Sequence, residues 1–216
     1  MACFITFEGI EGSGKTTQIQ LLTEKMQSQG QQVVVTREPG GCPIADRIRG
    51  ILLNPENSSL VHRSELLLYA AARAQHVSEI IRPALQAGKT VFCDRFTDAT
   101  LAYQGYGRGL DHSLIKQLNH LASQEIKPDL TLLLDLPVER GLGRALQREV
   151  LQQDNTEGRF EREALEFHQR VHAGYHTLAI EEPLRFRIID ADRTLQQIHT
   201  EIANTIGQFM TQRSGQ

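Results

Sequence analysis

Residues 9–16 read Gly-Ile-Glu-Gly-Ser-Gly-Lys-Thr, the G-x-x-x-x-G-K-[ST] spacing of a phosphate-binding loop, and their surroundings leave few folds open to the chain. Before the loop, residues 3–7 form a short apolar, β-rich run. After it, residues 15–29 carry Ile19, Leu21, Leu22 and Met26 at helical spacing until Gly30 ends the pattern. The strand–loop–helix context is the one such a loop requires. Its glycines let successive backbone N–H groups turn toward phosphate oxygens, and the helix presents its positive end to them. Gly9, Ile10, Glu11, Gly12, Ser13, Gly14, Lys15, Thr16 and Thr17 are therefore the candidate nucleotide-binding residues. Lys15 is expected at the β- and γ-phosphates and Thr16 at Mg²⁺. Glu11 is repelled by a polyphosphate unless a cation or a sugar hydroxyl lies between them, which makes it a candidate neighbour of either.

Further β-rich runs at residues 32–36, 90–94, 130–136 and 185–189 alternate with helix-like segments. Apolar runs of this kind suit a parallel sheet covered by helices on both faces, an α/β fold whose ligand loops follow the strands' C-terminal ends near Glu8, Thr36, Asp94 and Asp190. A second acid is needed beside Thr16 to hold the metal, and Asp94 and Asp135 both end such runs. Asp94 is favoured because Arg95 follows it, pairing an acid for the metal with a base for phosphate.

The 216 residues suit one domain. A net charge of -3 provides no basic field for a nucleic-acid polymer. Cys3, Cys42 and Cys93 are odd in number and widely spaced, as in reduced thiols. No apolar run approaches the ~20 residues of a membrane span, and no basic-then-apolar leader opens the chain, so a cytoplasmic protein is expected. The 8 histidines show no ligand spacing backed by neighbouring cysteines or acids and read as structural or surface residues. Residues 212–216 read as a frayed tail.

Four more segments carry a resemblance: Thr36-Arg37-Glu38-Pro39-Gly40-Gly41, then residues 69–76, 94–109 and 140–161. Together with the phosphate loop they make the chain resemble the bacterial thymidylate kinases almost end to end. The resemblance implies a P-loop nucleoside monophosphate kinase fold with a five-stranded parallel sheet flanked by helices. It implies transfer of the γ-phosphoryl of ATP to dTMP in dTTP synthesis, with Mg²⁺, by a homodimer. It assigns Tyr69 to stacking on thymine, Arg73 to a base carbonyl, and Thr100, Tyr103 and Gln104 to base and deoxyribose. Arg95 and Arg49 go to the acceptor phosphate, with Glu38 and Pro39 in the adjoining loop. Phe96 and Cys42 depart from the family's usual polar residues.

The resemblance also marks residues 141–160 as a lid. Some family members carry a basic residue within the phosphate loop; Gly12 holds that place here, so cations must come from the lid. Arg144 and Arg148 are four apart and share a helical face, with Arg159 at the far end and residues 152–156 resembling an insertion. Arg144 is expected near the nucleotide and Arg148 as the principal transition-state cation, completing a catalytic set with Lys15, Glu11 and Arg95. No general base is required, because the acceptor phosphate is already an anion. Rival readings are a kinase for another nucleoside monophosphate such as dUMP or AMP, and a nucleotide-hydrolysing switch. The Asn-Lys-x-Asp segment of guanine-specific switches does not occur.

Overall fold

A computed structural model of the chain describes residues 2–152 and 158–214, without the side chains of residues 148–150, 152 and 214. Strands form at the five apolar runs: β1 (Cys3–Glu8), β2 (Val33–Arg37), β3 (Thr90–Asp94), β4 (Leu130–Asp135) and β5 (Phe186–Asp190). They pair in parallel in the order β2-β3-β1-β4-β5. Burial follows position in the sheet. β1 is buried throughout, and β3 and β4 are buried up to their final aspartates, whereas the edge strands β2 and β5 are partly exposed. The polar residues Glu8, Arg37 and Asp190 each extend a strand one residue beyond its apolar run, since ladder hydrogen bonds are made by backbone groups whatever the side chain.

The helices are α1 (Lys15–Ser28), α2 (Pro43–Leu53), α3 (His62–His76), α4 (Arg82–Gln86), α5 (Thr97–Thr100), α6 (His112–Ser123), α7 (Val138–Gln152), α8 (Leu165–Glu181) and α9 (Leu195–Ser214). A π-helical turn, Val77–Ile81, joins α3 to α4, and a second, Leu101–Gly107, continues α5. On one sheet face, Ile19, Leu22 and Met26 of α1 and Ile198, Ile202 and Ile206 of α9 pack on Leu132 and Leu134. On the other, Phe167, Val171 and Tyr175 of α8 pack on Leu133, as the two-residue period of a strand demands.

The register aligns Arg37 with Asp94, Phe7 with Asp94 and Asp135 with Asp190, so the strands' polar ends form one edge. β1 stands where connections diverge to either side, the position at which open parallel sheets bind ligands. The expected frayed tail is corrected in part: α9 continues to Ser214, and Arg213 pairs with Asp129 at 2.6 Å and lies over the Phe209 ring. Among the described residues no helix is long and apolar enough to cross a membrane.

Candidate active site

The loop between β1 and α1 depends on its glycines. Gly9, Gly12 and Gly14 take φ values of 133°, 70° and 92°, which side chains with a Cβ rarely adopt. A Cβ on Gly9 would also meet the Leu134 carbonyl oxygen at 2.5 Å, and one on Gly12 would meet that of Gly141 at 2.1 Å. Lys15 is buried, and its Nζ donates to the carbonyls of Gly9 at 3.1 Å and Ile10 at 2.9 Å. Burial, followed by the nearby Arg95 guanidinium, pushes its pKa down to about 8 against the pull of Asp94, Glu11 and Glu8.

The Thr16 hydroxyl donates to Asp94 Oδ2 at 2.9 Å. A hydroxyl and a carboxylate beside a phosphate loop are the hard oxygen donors that Mg²⁺ takes, so these residues fit the expected ion. Asp135, the alternative acid, is engaged elsewhere: its Oδ1 lies 2.7 Å from His172 Nε2 and 3.0 Å from His176 Nε2. The hydrogen bond to His172 leads the interactions that hold its carboxyl below the usual range.

Arg95 has φ 69°, an uncommon conformation for a residue with a side chain and one that recurs at functional sites. Its Nη1 donates to Gly9 O at 2.9 Å and to the Tyr175 hydroxyl at 3.2 Å, and its Nη2 donates to Glu11 Oε1 at 3.0 Å. The guanidinium lies 4.8 Å from the centre of the Tyr103 ring, whose hydroxyl donates to the same Glu11 oxygen. Burial alone would raise the Glu11 pKa, but Arg95, His168, Tyr103 and Lys15 together hold it well below the carboxylate range. Glu11 is thus grouped with Arg95 and Tyr103, while Thr16 pairs with Asp94.

Arg73 is buried on α3. Its guanidinium donates to Glu38 at 2.7 Å, Asn119 at 2.7 Å, the Phe96 carbonyl at 3.0 Å and Thr100 at 2.9 Å. Among the described residues, one Nη1 hydrogen of the fork has no acceptor. Glu38 also contacts His76 Nδ1 at 3.0 Å, and the Glu38–Pro39 peptide bond is cis. Arg49 Nη1 donates to Pro39 O at 2.8 Å. Phe96, which departs from the family's usual polar residue, is buried edge-on against Phe4 with the Arg73 guanidinium 5.3 Å from its ring centre, so the polar contacts of this position come from its backbone.

Among the expected residues, Gly9, Ile10 and Ser13 lie in the loop wall, and Arg144 is exposed on α7 beside Gly12. The Arg148 side chain and residues 153–157 lie outside the described residues. All the others border one cleft of ≈ 330 Å³, which runs from Thr16 and Thr17 to Tyr69 and Gln104.

Arg159 is corrected. It is buried between α2 and α3, hydrogen-bonded to the Leu52 carbonyl and to Glu65, and is not a lid cation facing the loop. Phe160 beside it stands edge-on to Tyr103 at 5.5 Å. Glu65 was missed. It accepts from Gln104 at 2.8 Å and from Arg159 at 2.7 Å, and it precedes Tyr69 by the same four-residue step that separates Tyr69 from Arg73. Extending that step would have found it. His172 and His176 were misread as lacking an acid partner, because Asp135 reaches them from a distant strand. Cys42 is buried, and burial raises its thiol pKa, the opposite of what a redox-active cysteine needs.

A family model described as thymidylate kinase matches residues 7–202. The chain belongs to the thymidylate kinase family. It is 60% identical over 198 residues to a thymidylate kinase of Syntrophotalea carbinolica, covering 92% of each chain. To that of Geobacter sulfurreducens it is 58% identical over 206 residues, 95% of this chain and 97% of the relative. The crystal structure of thymidylate kinase from Ehrlichia chaffeensis superposes with a TM-score of 0.75 at 36% identity, covering 95% of this chain and 98% of that one. The thymidylate kinase fold accounts for the order of the strands and for a loop and a cleft at one sheet edge.

Proposed function

We propose that this chain transfers the γ-phosphoryl of ATP to dTMP, giving ADP and dTDP for dTTP synthesis, with residues 1–216 acting as one cytoplasmic kinase domain. The observation that carries the reading is that phosphate loop and acceptor wall share one cleft and are joined by Arg95, which bonds Gly9 and Glu11 of the loop and lies 4.8 Å from the Tyr103 ring. A nucleotide-hydrolysing switch has no need of an acceptor wall.

Phosphoryl transfer asks mainly for alignment and charge neutralisation. Lys15 exchanges its bonds to loop carbonyls for bonds to β- and γ-phosphate oxygens. Thr16 and Asp94 would hold Mg²⁺, which when bound offsets phosphate charge. Arg95 and Arg49 bind the acceptor phosphate. Tyr69 stacks on thymine, and the leftover Nη1 hydrogen of Arg73 is donated to a base carbonyl. Thr100 fixes Arg73, and Glu65 fixes Gln104 against the base. Tyr103 crowds the 2′ position of the sugar, while Glu11 faces its hydroxyl. Arg144 and Arg148, on the α7 lid, supply positive charge to the transferring group. The protein works as a homodimer.

ADP formation from Mg²⁺-ATP, measured with dTMP, dUMP, dCMP, dGMP, AMP and no acceptor, tests the reading. Fast turnover is expected with dTMP, with dUMP slower by roughly 10–200-fold for the missing methyl. Equal slow turnover with and without acceptors would overturn it.

A further inference from the structure

Helix α8 carries His168, His172 and His176 at successive four-residue steps, which places them along one face. His168 is buried and faces Glu11, whereas His172 and His176 are partly exposed and turn to Asp135 at the end of β4. Both Nε2 atoms approach the same oxygen, Asp135 Oδ1, at 2.7 and 3.0 Å, and the two ring centres are 4.7 Å apart. The three candidate ligand atoms lie within 4.8 Å of one another. Asp135 is available because Asp94 stands with Thr16.

Two imidazole nitrogens and one carboxylate oxygen form the mixed donor set that borderline divalent ions take, at roughly 2.0–2.2 Å. Around a tetrahedral ion those bond lengths separate ligand atoms by about 3.3 Å. The carboxylate oxygen therefore needs to part from each nitrogen by only about half an ångström, while the two nitrogens, within 4.8 Å of each other, adjust by rotation of the rings. A strand end and a helix interior supply the ligands, so the backbone is already fixed. A hydrogen bond from one ring would suffice to hold Asp135; convergence of two rings on one oxygen is what a metal site adds. We propose that Asp135, His172 and His176 bind one divalent transition-metal ion of the Zn²⁺ class, with its remaining positions open to water. The ion ties β4, which leads into α7, to α8, which carries Tyr175.

The test is titration of the intact chain with ZnCl₂ against a chromogenic chelator, without nucleotide. It is paired with histidine NMR of the wild-type protein during Co²⁺ addition. One Zn²⁺ per chain is expected, with affinity weakened at least about tenfold in both His172→Ala and His176→Ala. Co²⁺ should broaden the imidazole signals of His172 and His176 before those of the other histidines. The NMR arm uses no variant, so a folding defect in either substitution leaves the test intact. No binding at ~100 µM free Zn²⁺, binding unchanged in both variants, or first broadening at other histidines each overturns the proposal.

Discussion

Lys15 shows what a single residue's type reveals and what it does not. The motif marks the lysine as a phosphate ligand, but only the folded environment shows that burial lowers its pKa from 10.5 to about 8. The ammonium is charged below that value and neutral above it, so its attraction for phosphate is lost as pH rises through about 8. Because kcat/KM reports the free enzyme, kcat/KM for ATP should be level through neutrality and fall on an alkaline limb near pH 8. In the bound complex the phosphates raise the lysine's pKa, so kcat should stay level to higher pH. Initial rates from about pH 6 to 10 separate the two profiles. A common limb in both near pH 8 would mean that bound phosphate does not reach Lys15. Glu65 and Arg159 mark the limit of residue-scale reading. Charged side chains imply solvent on average, yet these two are buried against each other, and pairing between positions 94 residues apart leaves no local signal.

At the scale of elements, strands and helices were legible because burial imposes periods of two and 3.6 on apolar residues. The π-helical turn Leu101–Gly107, which presents Tyr103 and Gln104 to the cleft, was not, since a single wide turn imposes no repeating pattern. The contact between the phosphate loop and α7 was half legible. Gly141 is a poor residue for a helix, at up to about 1 kcal/mol, so the sequence marks a reason for it without naming the partner. The partner is Gly12. A Cβ on Gly12 would strike the Gly141 carbonyl, and one on Gly141 would lie 2.5 Å from Glu11 O and 2.7 Å from Ile10 Cδ1. Gly12 therefore does more than omit a basic side chain: the close approach of α7 excludes one and brings Arg144 to the loop. Gly141→Ala should push α7 away from the loop, lowering kcat about tenfold or more through misplacement of the lid cations and raising KM for ATP. The stability loss should be in the range of about 1–3 kcal/mol for an overpacked contact. Steady-state kinetics and thermal melts check both, and an unchanged kcat would show that this contact does not position Arg144.

For the whole molecule, the cleft has a back as well as a front. α3 turns Glu65 and Arg73 into the acceptor wall, packs on α2 and α6, and exposes Leu67. Ile44 and Ile51 on α2 and Leu114 and Leu121 on α6 are exposed as well, Leu121 to 74%. Single exposed apolar residues are ordinary, but a set spread over three adjoining helices supports this layer as the surface of the proposed homodimer. Sedimentation equilibrium at micromolar concentration should then give twice the 24.3 kDa chain mass. Leu67→Glu, which buries a charge at such an interface, should shift the mass toward one chain. Because α2 and α3 carry Arg49, Tyr69 and Arg73 on the acceptor side, loss of the partner should loosen the acceptor wall and spare the loop between β1 and α1. KM for dTMP is expected to rise several-fold while KM for ATP changes little. A wild-type chain that sediments as a monomer would overturn the dimer. A dimeric Leu67→Glu variant with unchanged KM for dTMP would move the interface to another face.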